Sequence, residues 1–99
     1  MEKEINEQIT FLLNRLSIEF PQISKALTRE AKKRQMSVDD RKVYKLRLLK
    51  AQHPGVIEGL FDALNQHFGY REEGSGIKTN TFFNSPYIMT RVNADPLEF

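Results

Sequence analysis

A mainly α fold is predicted: a small four-helix domain followed by an extended or β-hairpin C-terminal arm. Three observations predict it. Apolar residues recur at helical spacing as far as Phe68. Prolines, a capping serine and a glycine punctuate that pattern where helices would begin and end. Beyond Tyr70 the helical spacing gives way to a polar, glycine-bearing stretch and then to Thr- and Phe-rich, β-prone residues. With 99 residues, 39% hydrophobic and 28% charged, the chain has the size and composition of one folded domain. The helical core is expected over 1–70 and the arm over 71–99, joined through a linker at 71–76 within the same domain.

The first helix is expected at 3–19. Ile5, Ile9, Leu12, Leu13, Leu16 and Phe20 form one stripe. Glu2, Glu4 and Glu7 complement the positive end of the helix dipole, and Pro21 forces the preceding residue out of helical geometry. Phe11 and Ile18 lie on the opposite face. They form a second apolar surface, to be covered by a later part of the chain or by a second copy in a homodimer.

The second helix is expected at 22–34, with Pro21 or Ser24 at its start. Its apolar side is thin, only Ile23, Ala26, Leu27 and Ala31, and it ends on Lys32, Lys33 and Arg34. The third helix, at 38–52, opens on Ser37 as N-cap, with Asp40 where a capping-box acid would reach back. Tyr44, Leu48 and Ala51 make one stripe; Val43, Leu46 and Leu49 make another. Two stripes predict a central helix with neighbours on two sides, leaving Arg41 and Lys45 between them and Lys42 beside. The fourth, at 55–68, carries Val56, Ile57, Leu60, Phe61, Leu64 and Phe68, and Gly69 follows as a C′ residue. Gly59 costs this helix about 1 kcal/mol relative to Ala; it marks either a close helix approach or a tolerated position.

In the arm, Ile77 to Phe83 and Tyr87 to Val92 are β-prone and Asn84-Ser85-Pro86 would turn a hairpin. A lone hairpin is marginal in water. The arm must therefore pack on the helices, pair with another chain or stay mobile. Phe82, Phe83, Tyr87, Leu97 and Phe99 carry its apolar load. Together with Phe11 and Ile18 they are the candidate partner-binding residues.

Charge is the strongest functional signal. The formal net charge is only +2, yet ten bases and three acids fall between Lys25 and Lys50, leaving five bases and ten acids elsewhere. Cations in that density suit phosphate contacts and a salt-sensitive affinity. Arg29, Lys32, Lys33, Arg34, Arg41, Lys42 and Lys45 are the candidate nucleic-acid-binding residues. A helix-turn-helix with Ser37 opening the recognition helix is disfavoured. The connection at 34–37 has no Gly, and the third helix is too apolar on two sides to lie in a groove.

Catalysis finds no support. With no Cys, thiol nucleophiles, Cys-based zinc sites and iron–sulfur clusters are excluded. His53 and His67 stand apart, without metal-ligand spacing. No serine sits in a nucleophile elbow and no glycine pattern cradles a phosphate. No cofactor is expected. Neither a membrane span nor a signal peptide is legible, so a cytoplasmic protein is expected. The leading expectation is a non-enzymatic regulatory or accessory protein binding DNA or RNA through residues 25–50. The alternative is an adaptor or inhibitor that meets an acidic protein with the same face and anchors through the aromatic arm.

Overall fold

The computed structural model describes residues 2–69 and 76–91. These residues form α1 (Glu2–Glu19), α2 (Pro21–Lys32), α3 (Val38–Gln52), α4 (Pro54–His67), α5 (Thr79–Phe83) and α6 (Pro86–Met89), with no strand among them. The mainly α class is the observed one, and the four long helices lie close to their predicted bounds.

Two corners of the same geometry organise the chain. Phe20 joins α1 to α2 with φ −135° and ψ 64°, and His53 joins α3 to α4 with φ −137° and ψ 64°. Each precedes a proline that occupies the first turn of the next helix. Proline excludes helical geometry from the residue before it, yet its own fixed φ suits a first turn. One residue therefore suffices to break the helix and restart it. Little backbone hydrogen bonding is sacrificed: the Phe20 N–H donates to Leu16 O at 2.8 Å and the Phe20 carbonyl accepts from Ser24 N at 3.0 Å. At the second corner the His53 N–H donates to Leu49 O at 2.7 Å, and the His53 carbonyl accepts from Val56 N at 3.0 Å.

The core follows the predicted stripes. Ile9, Leu12 and Leu16 of α1 are buried with Leu27 and Ala31 of α2 and with Ile57, Leu60, Phe61 and Leu64 of α4. Val43, Tyr44, Leu46, Leu48 and Leu49 of α3 are all buried, and they surround the helix axis. Helix α3 packs on α1, α2 and α4, and α1 touches α2 and α4 as well, so α2 and α4 stand at opposite corners. Ala26 and Ala51, both expected on the apolar faces, are exposed. Ser37 caps α3, accepting the Asp40 N–H at 3.1 Å, but the Asp40 carboxylate turns to Arg91 at 2.8 Å. Gly69 has φ +82°, the left-handed geometry of a C′ glycine. Gly59 is exposed, and a Cβ added there would meet nothing within 4 Å; no close helix approach depends on it.

The hairpin expected after residue 76 is corrected: residues 79–83 and 86–89 are short helices. In a strand Phe82 and Phe83 would point to opposite faces, and only one could be buried. On a helix they stand about 100° apart, and both reach Phe61, with ring centroids 5.2 and 6.3 Å away. Both are buried, as is Ile88 of α6. The described arm is thus core-covering. Helix α6 is strapped to α1 by the Tyr87 hydroxyl donating to Asn6 Oδ1 at 2.9 Å, and to α3 by the Arg91–Asp40 pair.

Candidate nucleic-acid interface

Helix α2 buries only Leu27 and Ala31, so most of its circumference faces outward. Lys25, Arg29 and Lys32 follow at i, i+4 and i+7, an arc of about 60° on the side away from those two residues, and all three are exposed. The five-residue connection to α3 is fixed from beneath. Arg34 Nε donates to the Tyr44 hydroxyl at 3.0 Å, and its guanidinium lies 5.2 Å from the Tyr44 ring centroid. This contact holds the end of α2 against the first turns of α3.

Arg41, Lys42 and Lys45 project from those turns. Arg41 is exposed and donates to the Met36 carbonyl at 3.3 Å; Lys42 and Lys45 are half-buried. Burial lowers the Lys45 pKa from its ordinary value, and the charges of Lys42, Arg41 and Lys32 lower it further. Cations from two helices therefore share one field. No carboxylate among the described residues lies within salt-bridge distance of Lys25, Arg29, Lys32, Arg41, Lys42 or Lys45. Of the nearby acids, Glu30 pairs with Lys33 at 3.1 Å and Asp40 with Arg91 at 2.8 Å, while Asp39 is exposed in the first turn of α3 with no ion pair among the described residues.

The seven predicted cations divide accordingly. Lys32, Arg41, Lys42 and Lys45 share one field across the two helices, and Arg29 stands beside Lys32 on the outward side of α2. Lys33 is exposed but ion-paired within α2, and half-buried Arg34 serves the packing of Tyr44. Lys25 joins the face although it is not among the seven; its helical spacing from Arg29 and Lys32 is the signal that points to it. Arg47 and Lys50 turn to the arm, Arg47 reaching the Ile88 carbonyl at 3.5 Å and Lys50 Nζ lying 5.1 Å from the Phe83 ring centroid.

The candidate partner-binding residues that are described, Phe11, Ile18, Phe82, Phe83 and Tyr87, do not form one surface. Phe82 and Phe83 are spent in the chain's own core, which corrects their expected role as anchors. Phe11 is half-buried, stacked on His67 at 4.6 Å and edge-on to Phe68 at 6.1 Å. Among the described residues the end of α4, not α5 or α6, covers it. Ile18, on the same face of α1, stays 76% exposed. Half-buried Tyr87 is held by Asn6 and by the Arg91 guanidinium 4.3 Å from its ring centroid. Leu97 and Phe99 lie outside the described residues, as does the linker through residue 75.

No family model, curated protein or solved structure matches this chain. Among the described residues no helix is long and apolar enough to cross a membrane. Nor is there, among them, a group of three or more His, Cys, Asp and Glu that could hold a metal ion.

Proposed function

We propose that this chain is a non-enzymatic regulatory or accessory protein of the cytoplasm that binds nucleic acid through the face shared by α2 and the start of α3. One observation carries the reading: Lys32, Arg41, Lys42 and Lys45, contributed by two helices, gather at one place without carboxylate partners among the described residues. Gathered cations are unfavourable in the free protein, where each raises the energy of the others. A polyphosphate relieves that repulsion and releases its own counterions, so the same arrangement favours the complex. Burial of Phe82 and Phe83 weighs against the adaptor reading, because an interface needs aromatic anchors free to enter a partner's pocket.

The test is fluorescence anisotropy with labelled DNA and RNA oligonucleotides. Lys32→Glu with Arg41→Glu is expected to lower affinity at least about tenfold at low salt and to flatten the dependence of log K on log salt. Both side chains are exposed, so the helical circular dichroism of the variant should match the parent. Unchanged affinity in a folded variant, or no binding by the parent, overturns the reading.

A further inference from the structure

Taking the nucleic-acid reading as its basis, we infer that the occupant of this face is the sugar-phosphate backbone of a double helix, gripped by α2 without insertion of a helix into a groove and without stacking on bases. Three features of the face point there.

The first is charge density. From Lys25 to Lys32 the α2 row covers about 10 Å of helix, and Arg41, Lys42 and Lys45 adjoin its Lys32 end. Six cations therefore belong to a short surface. A double helix carries about one phosphate per 1.7 Å of axis, or about six over that length; one strand carries about half as many. The α2 row alone matches one strand over that length, and Arg41, Lys42 and Lys45, from a second helix, leave as many cations again for the other strand.

The second is the burial of rings. Proteins that hold single strands without sequence preference offer aromatic side chains on which successive bases stack. The ring nearest the cationic cluster is Tyr44, which is 2% exposed and has its hydroxyl occupied by Arg34. Phe20, 38% exposed, precedes α2 at the Lys25 end of the row, a single ring and not a series on which successive bases could stack. No stacking platform accompanies the cluster among the described residues.

The third is the burial of α3. A helix that enters a major groove must present a free face to the base edges. Helix α3 buries Val43, Tyr44, Leu46, Leu48 and Leu49 around its circumference; its exposed residues lie at the two ends, Val38, Asp39 and Arg41 at one and Lys50, Ala51 and Gln52 at the other, and leave no continuous free face. Helix α2 can approach, but its outward row is Lys25, Arg29 and Lys32, long side chains that meet phosphates while the helix axis stays outside the groove.

The experiment compares short DNA duplexes of two unrelated sequences, an RNA duplex, and the corresponding single strands. Binding is measured by anisotropy between about 50 and 200 mM salt. The two DNA duplexes should bind within about twofold of each other, and the single strands at least about tenfold more weakly. The RNA duplex arm separates a face indifferent to helix form from one fitted to DNA; binding to either duplex above the single strands upholds the inference. Lys25→Ala, Arg29→Ala and Lys32→Ala together should make the salt slope shallower by about two to three, at about 0.9 for each phosphate left unneutralised. Single strands bound as tightly as duplexes, or one DNA sequence preferred tenfold, overturns this inference and leaves nucleic-acid binding standing. Absence of binding to every probe overturns the proposed function itself.

Discussion

Asn65 holds the start of the arm by both ends of its amide. Nδ2 donates to the Ile77 carbonyl at 3.0 Å, and Oδ1 accepts the Ile77 N–H at 2.6 Å. Neighbouring Gly76 is constrained by the same side chain, since a Cβ there would stand 3.1 Å from Asn65 Cγ and Oδ1. Asn65→Ala strands two part-buried backbone groups and should cost about 1–3 kcal/mol, read as a lower urea midpoint at unchanged m-value. Asn65→Asp keeps the acceptor and loses the donor, and should fall between the two. Lys45 carries a pH signature. Burial and three neighbouring cations disfavour its charged form in the fold. Between its lowered pKa and the ordinary 10.5 the unfolded chain binds more protons than the folded one, and stability from this group rises with pH. Below that window both states are protonated and the penalty is constant. Lys45→Gln should therefore raise the urea midpoint at pH 7, by a margin that shrinks as the pH approaches 10.5. An equal margin at both ends of that range would refute the assignment. A bound phosphate favours the charged amine, so affinity should fall in the same alkaline window, and less so in the variant.

At the scale of elements, the long helices are legible in the sequence because each carries its own instructions. Ile9, Leu12 and Leu16 mark the buried face of α1, Ser37 marks the start of α3, and Pro21 and Pro54 mark the restarts. The double stripe on α3 announces a helix with neighbours on two sides. The arm misleads because Thr, Phe and Tyr favour strands only when a pleated neighbour is available to pack against. Here the neighbour is Phe61 of α4, and two short helices are what allow adjacent Phe82 and Phe83 both to meet it. Phe82→Ala should accordingly cost about 3–5 kcal/mol, as a large core truncation does, and Phe83→Leu distinctly less, each followed by thermal and urea unfolding of the full chain. A loss within about 0.5 kcal/mol for Phe82→Ala would mean that the arm is not part of the folded core.

At the scale of the described helix packing, α2 and α4 differ in charge. Helix α2 carries Lys25, Arg29 and Lys32 against Glu30, whereas α4 carries Glu58 and Asp62 and no Lys or Arg. These two helices stand at opposite corners of the packing, so a polyanion is attracted to one side and repelled from the other. Position should then matter more than net charge. Lys3→Glu with Lys78→Glu changes the net charge as much as Lys32→Glu with Arg41→Glu, at exposed positions outside the cationic face. It is expected to alter oligonucleotide affinity by no more than about twofold at 150 mM salt, where screening acts beyond about 8 Å; equal losses in the two variants would show that only overall charge matters. The sequence by itself determined the α class, the four long helices and the existence of a basic middle, because spacing, capping and charge are properties of neighbouring residues. The tertiary structure decided which cations are taken up by partners. Tyr44 takes Arg34, Glu30 takes Lys33, the arm takes Arg47 and Lys50, and the α2–α3 packing brings Lys32 to Lys45. It also decided that Phe82 and Phe83 belong to the core, since that outcome depends on Phe61, some twenty residues earlier, and burial is settled by what the fold brings near.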